Sequence, residues 1–182
     1  MLKKSGKEPE KILDLCCGTG CIGIALMSIF KNSHCIFGDI SDKALELTRE
    51  NVKNTGYEER SEVIELDALD DLVPTIEPHS LDLLISNPPY ISSDEMLLLP
   101  VSVAAFEPHD ALYGGVDGLS FYRCIAYTAR EVLKDGAMLV FECGDCQADD
   151  IEMILRSAGY ADVGHMNDLN DKERVVWGTN KI

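Results

Sequence analysis

The chain has 182 residues, 46% hydrophobic and 26% charged, a length and mixture that support one core without disulfide or metal staples. It holds no run of about 18 apolar residues to span a membrane, and the start, MLKKSGKEPEKI, lacks the apolar segment of a signal peptide. With 16 Lys and Arg against 32 Asp and Glu, the formal charge is −16, which opposes the phosphate neutralisation that dominates nucleic-acid affinity.

Glu10–Cys16 (EKILDLC) predicts a short strand running into the glycine turn CGTG. Cys21–Phe30 is apolar enough for a buried helix, and His34–Asp39 predicts the second strand. Ser41–Asn54 carries Ala44, Leu45, Leu47 and Val52 at helical spacing, with Ser41 as N-cap and Gly56 as the stop. Ser61–Leu66 and Leu81–Ser86 predict strands three and four. From Ser92 to Gly118 the pattern loses its period and holds Pro100, Pro108 and Gly114-Gly115, so it reads as an excursion. Leu119–Leu133 resumes a helix, Lys134-Asp135-Gly136 predicts a turn, and Ala137–Cys143 a strand. Gln147–Ala158 is helical and Gly159 stops it; Tyr160–His165 and Arg174–Thr179 are close enough to form an antiparallel pair. Alternating strands and helices imply an α/β fold, a mostly parallel sheet covered on both faces. Its ligands belong beyond the carboxyl ends of the strands, near the point where strand order reverses.

Seven cysteines are an odd number, and Cys143 and Cys146 form a C-x-x-C pair. Without a second close pair or clustered histidines, zinc is not expected. The cysteines read as reduced, small hydrophobes of an intracellular, cytoplasmic protein.

Three strand ends carry chemistry. Asp14-Leu15-Cys16-Cys17-Gly18-Thr19-Gly20 joins strand to helix, with Gly18 and Gly20 permitting close approach of a ligand to backbone. It is not a Walker loop, but G-T-G-C-I-G has dinucleotide spacing. Gly38-Asp39 places a carboxylate where ribose hydroxyls bind, and Asp67-Ala68 stands where an adenine amino group would lie. Together they mark an adenosine ligand without choosing between hydride and methyl transfer. Asp39 capping the next helix and a merely solvated Asp67 are the plain alternatives.

Asn87-Pro88-Pro89-Tyr90 ends the fourth strand. Pro88 biases Asn87 away from the helical region, and both prolines fix φ near −65°. The rigid ledge would aim the Asn87 side-chain oxygen and the Pro88 carbonyl at one point. Two such acceptors suit an NH2 group, and Tyr90 would cover a planar amide or base. Holding both N–H groups turns the nitrogen lone pair outward and stabilises the charge that develops during methyl transfer.

With these motifs the chain resembles class I S-adenosylmethionine-dependent methyltransferases, and more narrowly the HemK/PrmC family, which methylates the glutamine of the Gly-Gly-Gln motif in peptide-chain release factors. Asp14–Gly20 matches the family's cofactor loop, Asp39–Leu45 its ribose strand end, and Asn87–Ile91 its substrate-amide motif. Because adenine-amino methyltransferases carry similar NPPY sequences, the remaining segments decide. Phe106-Glu107-Pro108, Ala111–Leu119, Tyr122, Glu142-Cys143-Gly144 with Gln147, and Asp168-Leu169 with Asp171 to Gly178 match the glutamine family.

The resemblance implies a Rossmann-like fold, a seven-stranded mostly parallel sheet with one antiparallel edge hairpin. It implies S-adenosylmethionine held by Asp14, Cys16, Gly18, Thr19, Gly20, Asp39, Ile40, Asp67, Ala68 and Asn87. Asn87, Pro88 and Tyr90 would be catalytic, with Pro89, Glu107 and Gly115 adding to the substrate side; Pro108, Gly114 and Asp117 would join that wall. Arg174 and Asp168 are expected to pair internally. Only about eleven residues precede the first strand, where bacterial members carry an N-terminal helical domain. The expectation is a single catalytic domain over 1–182, excised or relying on a partner subunit, with a release factor as protein substrate. The alternatives are an adenine-amino methyltransferase, a protein methyltransferase for another residue, and a non-catalytic binding module.

Overall fold

The computed structural model describes residues 8–73, 75–99 and 111–182. Strand β1 (Lys11–Leu15) leads to helix α1 (Cys21–Ile29), β2 (His34–Asp39) to α2 (Asp42–Thr55), and β3 (Ser61–Glu65) to β4 (Leu81–Ser86). A one-turn helix α3 (Ser93–Met96) follows, then α4 (Ser120–Val132), β5 (Leu133–Glu142), α5 (Ala148–Ser157), β6 (Ala161–Asn167) and β7 (Glu173–Thr179).

One sheet holds all seven strands in the order β3-β2-β1-β4-β5-β7-β6. From β3 to β5 neighbours are parallel, whereas β7 runs antiparallel to both β5 and β6. This is the mostly parallel sheet with an edge hairpin that the sequence implied. The chain leaves β1 toward β2 and β3, then returns to lay β4 on the other side of β1. The carboxyl ends of β1 and β4 therefore flank the reversal point, where such sheets bind ligands.

Both faces are dry. Leu13, Leu15, Leu84, Leu139 and Phe141 pack on one side with α4 and α5, and Ile12, Phe37, Leu83 and Val140 on the other with α1 and α2. Asp14 and Ser86 are rare buried polar side chains among these strands. Helix α2 starts as predicted: the Ala44 N–H donates to Ser41 Oγ, and Gly56 ends the helix at φ 72°. Asp42 in its first turn and Lys53 in its last complement the helix dipole.

One expectation needs correction. Lys134–Gly136 does not separate helix from strand as a turn; it lies inside β5. Between the pairs Leu81–Leu133 and Leu83–Met138 the register shifts, and the extra residues bulge outward. Gly136 turns at φ 79° and its N–H donates to the Asn180 carbonyl. Residues 92–99 and 111–118, the described parts of the expected excursion, lie outside the sheet and carry local order of their own. Ser92 and Glu95 form a reciprocal capping box that nucleates α3, and Ile91 bridges to Tyr113. Pro100, Phe106, Glu107 and Pro108, and what the sequence implies of them, lie outside the described residues. Among the described residues no helix is long and apolar enough to cross a membrane.

Candidate active site

The loop after β1 is built from three directions. Cys16 turns it at φ 58°, a left-handed conformation rare for non-glycine residues. Asp39, ending the neighbouring β2, accepts the Gly18 N–H through Oδ2 at 2.9 Å and the Ser41 N–H through Oδ1 at 2.9 Å. From α2, Thr48 Oγ1 donates to the Gly18 carbonyl at 2.9 Å, and Asn51 Nδ2 to the Thr19 carbonyl at 2.9 Å. Thr48 and Asn51 are residues the sequence reading missed. The available signal was Thr48 itself, a polar residue in the buried stripe Leu45, Thr48, Val52.

Asp14 holds the start of α1. Its Oδ2 accepts the Gly23 N–H at 2.8 Å, one of the first-turn N–H groups that a helix leaves without an internal partner. No side chain caps α1 from Gly20, and its first turn has no acidic residue, so this carboxyl from the strand takes the role. Gly23 itself is needed for contact, because a Cβ there would overlap the Phe37 ring and approach Cys35 Sγ to 2.9 Å. Asp14 is only 1% exposed, and burial raises its pKa to about 7, against the Gly23 hydrogen bond and with help from the nearby Asp39 charge. Its Oδ1 is buried with no hydrogen-bond partner.

These features fit the expected adenosine cofactor. Each Asp39 oxygen uses one lone pair on a backbone N–H and keeps another unspent. Space beside the Gly18 backbone is open to 4 Å. Ile40 is exposed next to Asp39, apolar cover for a flat ring, and Ala68 is buried below the end of β3. Asp67 spends Oδ1 on the Leu69 N–H at 2.8 Å, closing a tight turn. Thr19 is exposed and its hydroxyl donates to Cys21 Sγ.

On the other side of the reversal point stands the tetrapeptide. Pro88 is buried, Pro89 and Tyr90 are half-buried, and Asn87 is exposed. Among the described residues neither the Asn87 side chain nor the Pro88 carbonyl makes a hydrogen bond. Both acceptors are thus unspent among the described residues.

The segment around it is closely fitted. Ile91 N–H donates to the Leu112 carbonyl and Gly114 N–H to the Ile91 carbonyl, both at 2.9 Å. Gly114 lies against Pro89 and Tyr90, since a Cβ there would come within 2.7 Å of the Pro89 carbonyl oxygen, whereas Gly115 lies against Ser120. Asp117 accepts from Arg123 and from the Leu119 N–H. The Arg123 bond holds its carboxyl down at about 2. Gln147 donates to the Tyr90 carbonyl at 3.0 Å, a contact the sequence reading did not foresee. Glu107 lies outside the described residues.

The cysteines make no centre. All seven are free; Cys143 is buried and Cys146 exposed. Among the described residues no group of three or more His, Cys, Asp or Glu side chains is arranged for a metal. Burial pushes the Cys16 and Cys17 thiols up to about 12, so they stay protonated and inert. Arg174 approaches Asp168 at 3.8 Å and donates to the Cys143 carbonyl at 2.9 Å, the structural pairing expected of it. A depression of about 450 Å³ lined by Lys11, His34, His79 and Lys134 lies at the opposite ends of the strands. There Lys134 is already paired with Asp82 at 2.8 Å, and the site chemistry stays at the carboxyl ends.

Residues 1–100 match the methyltransferase small domain family. The chain belongs to that family. As a member of the methyltransferase small domain family it is also 38% identical to a release factor glutamine methyltransferase of Clostridium botulinum, over 93% of this chain and 59% of that protein. A release factor glutamine methyltransferase of Cereibacter sphaeroides is 39% identical over 91% of this chain and 58% of its own length. The chain therefore spans less than two thirds of these relatives. In fold it is similar to the crystal structure of a methyltransferase from Pyrococcus furiosus, with a TM-score of 0.72 and 14% identity, covering 100% of this chain and 80% of that one.

Proposed function

We propose that this chain is a catalytic domain that transfers a methyl group from S-adenosylmethionine to a glutamine side-chain amide, that of the Gly-Gly-Gln motif of a peptide-chain release factor. The observation that carries the reading is the pairing at the reversal point. The Asp39-braced glycine loop faces one side, and the rigid Asn87-Pro88 ledge, its acceptors free among the described residues, faces the other. The similarity to release factor glutamine methyltransferases supports the choice of amide.

Asp39 would take the ribose hydroxyls with its remaining lone pairs, while Ile40, Asp67 and Ala68 border the adenine. Asp14, Cys16, Gly18, Thr19 and Gly20 would shape the methionine end, and Asp14 Oδ1 is buried there without a hydrogen-bond partner. When bound, S-adenosylmethionine supplies an electrophilic methyl group on a sulfonium. The Asn87 oxygen and the Pro88 carbonyl accept the two amide hydrogens, and Tyr90 packs on the amide plane. This grip orients a lone pair otherwise delocalised into the carbonyl and stabilises positive charge on the nitrogen. No general base is needed, because the proton can leave after the methyl has arrived. The reduced cysteines fit a cytoplasmic setting, where we place the protein.

The test is incubation with labelled S-adenosylmethionine and either a purified release factor or adenine-containing nucleic acid. Label in the release factor supports the reading; label in the nucleic acid alone overturns it.

A further inference from the structure

We propose that Gln147 is a positioning residue for methyl transfer, clamping the Tyr90 main chain and through it the aim of the Asn87-Pro88 ledge. The inference rests on the function proposed above. Gln147 uses both ends of its side-chain amide: Nε2 donates to the Tyr90 carbonyl at 3.0 Å, and Oε1 accepts the Gly144 N–H at 3.0 Å. It thereby ties the end of the tetrapeptide to the β5–α5 connection.

Three glycines complete the clamp. A Cβ on Gly118 would overlap the Tyr90 carbonyl oxygen, one on Gly114 would stand 2.7 Å from Tyr90 Cα, and one on Gly144 would stand 3.0 Å from the Tyr90 ring. The hydrogen bond from Ile91 to Leu112 holds the next residue from the far side. The Tyr90 main chain is thus closely flanked by glycine backbone, and among the described residues Gln147 supplies the one side-chain donor to its carbonyl.

The clamp is not what seats α5. Ala148, Ile151 and Leu155 are fully buried, and the Ala148 N–H donates to Glu173 Oε2 at 3.2 Å. Removing the Gln147 amide therefore frees the loop and leaves the helix docked. Two acceptors converging on one NH2 group tolerate little displacement, and a misplacement near 1 Å can lower a rate by about 100-fold.

Two variants of the full chain test this. Gln147→Met keeps the volume and loses both hydrogen bonds; Gln147→Glu keeps the acceptor for Gly144 and loses the donor to Tyr90. The readouts are amide hydrogen exchange, S-adenosylmethionine affinity by calorimetry, and kcat and KM on a release factor. In both variants exchange over residues 86–93 is expected to quicken by roughly tenfold, the size of one lost hydrogen bond, with residues 148–157 unchanged. kcat is expected to fall by about 100-fold with cofactor affinity unchanged. Parental exchange at 86–93, or parental kcat, in Gln147→Met overturns the proposal; if that variant does not fold, Gln147→Glu decides by the same readouts. Should the parent itself not methylate the release factor, the proposed function fails, and exchange still decides whether Gln147 clamps Tyr90.

Discussion

Asp39 accepts the Gly18 N–H at 2.9 Å, so the carboxylate that ends β2 braces the glycine loop; under the proposed function it also takes the ribose hydroxyls. Asp39→Ala removes the brace and the hydroxyl acceptors together. S-adenosylmethionine affinity should fall by about 100-fold, the size of one or two hydrogen bonds to a charged group. Calorimetric titration checks this, and parental affinity would remove Asp39 from the cofactor site.

The Asn87 side chain is exposed and makes no hydrogen bond among the described residues, so the fold does not depend on its amide. Asn87→Ala should leave the melting temperature and cofactor affinity at parental values. Methyl transfer should fall by at least about 100-fold, as expected when an acceptor in a transition-state grip is lost. A parallel loss of cofactor binding in the same titration would contradict this division of roles.

Much of this layout was legible in the residues. The alternation of apolar strands and helices implied the sheet, and each polar cluster lies beyond a carboxyl strand end, the region where open α/β sheets bind ligands. Ser41 and Gly56 marked the ends of α2 through local rules that packing does not override. Lys134–Gly136 misled because a Gly after two charged residues reads as a turn in isolation. Only its pairing partners, β4 and Asn180, show it to be a bulge within a strand. Thr48, Asn51 and Gln147 act over separations of 30, 32 and 57 residues, and no local pattern encodes such contacts. The adjacent Asp14 and Gly23 hydrogen bond was hidden for another reason: an aspartate inside an apolar strand looks like a ligand contact before it looks like a helix cap.

Gly118 and Gly136 both have positive φ, 74° and 79°, but only Gly118 also presses on a neighbour, the Tyr90 carbonyl. Gly136→Ala should therefore destabilise by about 1–2 kcal/mol, the conformational term alone. Gly118→Ala should lose a further 1 kcal/mol or so, about the lower end of an overpacking penalty. Urea unfolding of the two variants side by side reads the difference, and equal losses would deny the contact.

Asp14 gives a pH signature. Its pKa in the fold is about 7 against an ordinary 3.8, so between these values the native state keeps a proton that the unfolded chain has released. Unfolding then releases a proton, and this group's contribution makes stability fall as pH rises through the window and level off above it. Asp14→Asn keeps an acceptor for the Gly23 N–H and removes the ionisation. The parent-minus-variant stability should slope downward by up to about 1.4 kcal/mol per pH unit between about pH 5 and 7. A flat difference in urea titrations across that range would show that Asp14 ionises normally.

The central claim, that the Asn87-Pro88 ledge presents a glutamine amide for methylation, is tested most directly by locating the methyl group. A purified release factor is incubated with this protein and S-adenosylmethionine, then digested and fragmented by tandem mass spectrometry. One added methyl is expected on the side-chain nitrogen of the Gly-Gly-Gln glutamine, absent with Asn87→Ala and absent when that glutamine is replaced. A methyl group on any other residue, or undiminished transfer to the release factor lacking the glutamine, would contradict it.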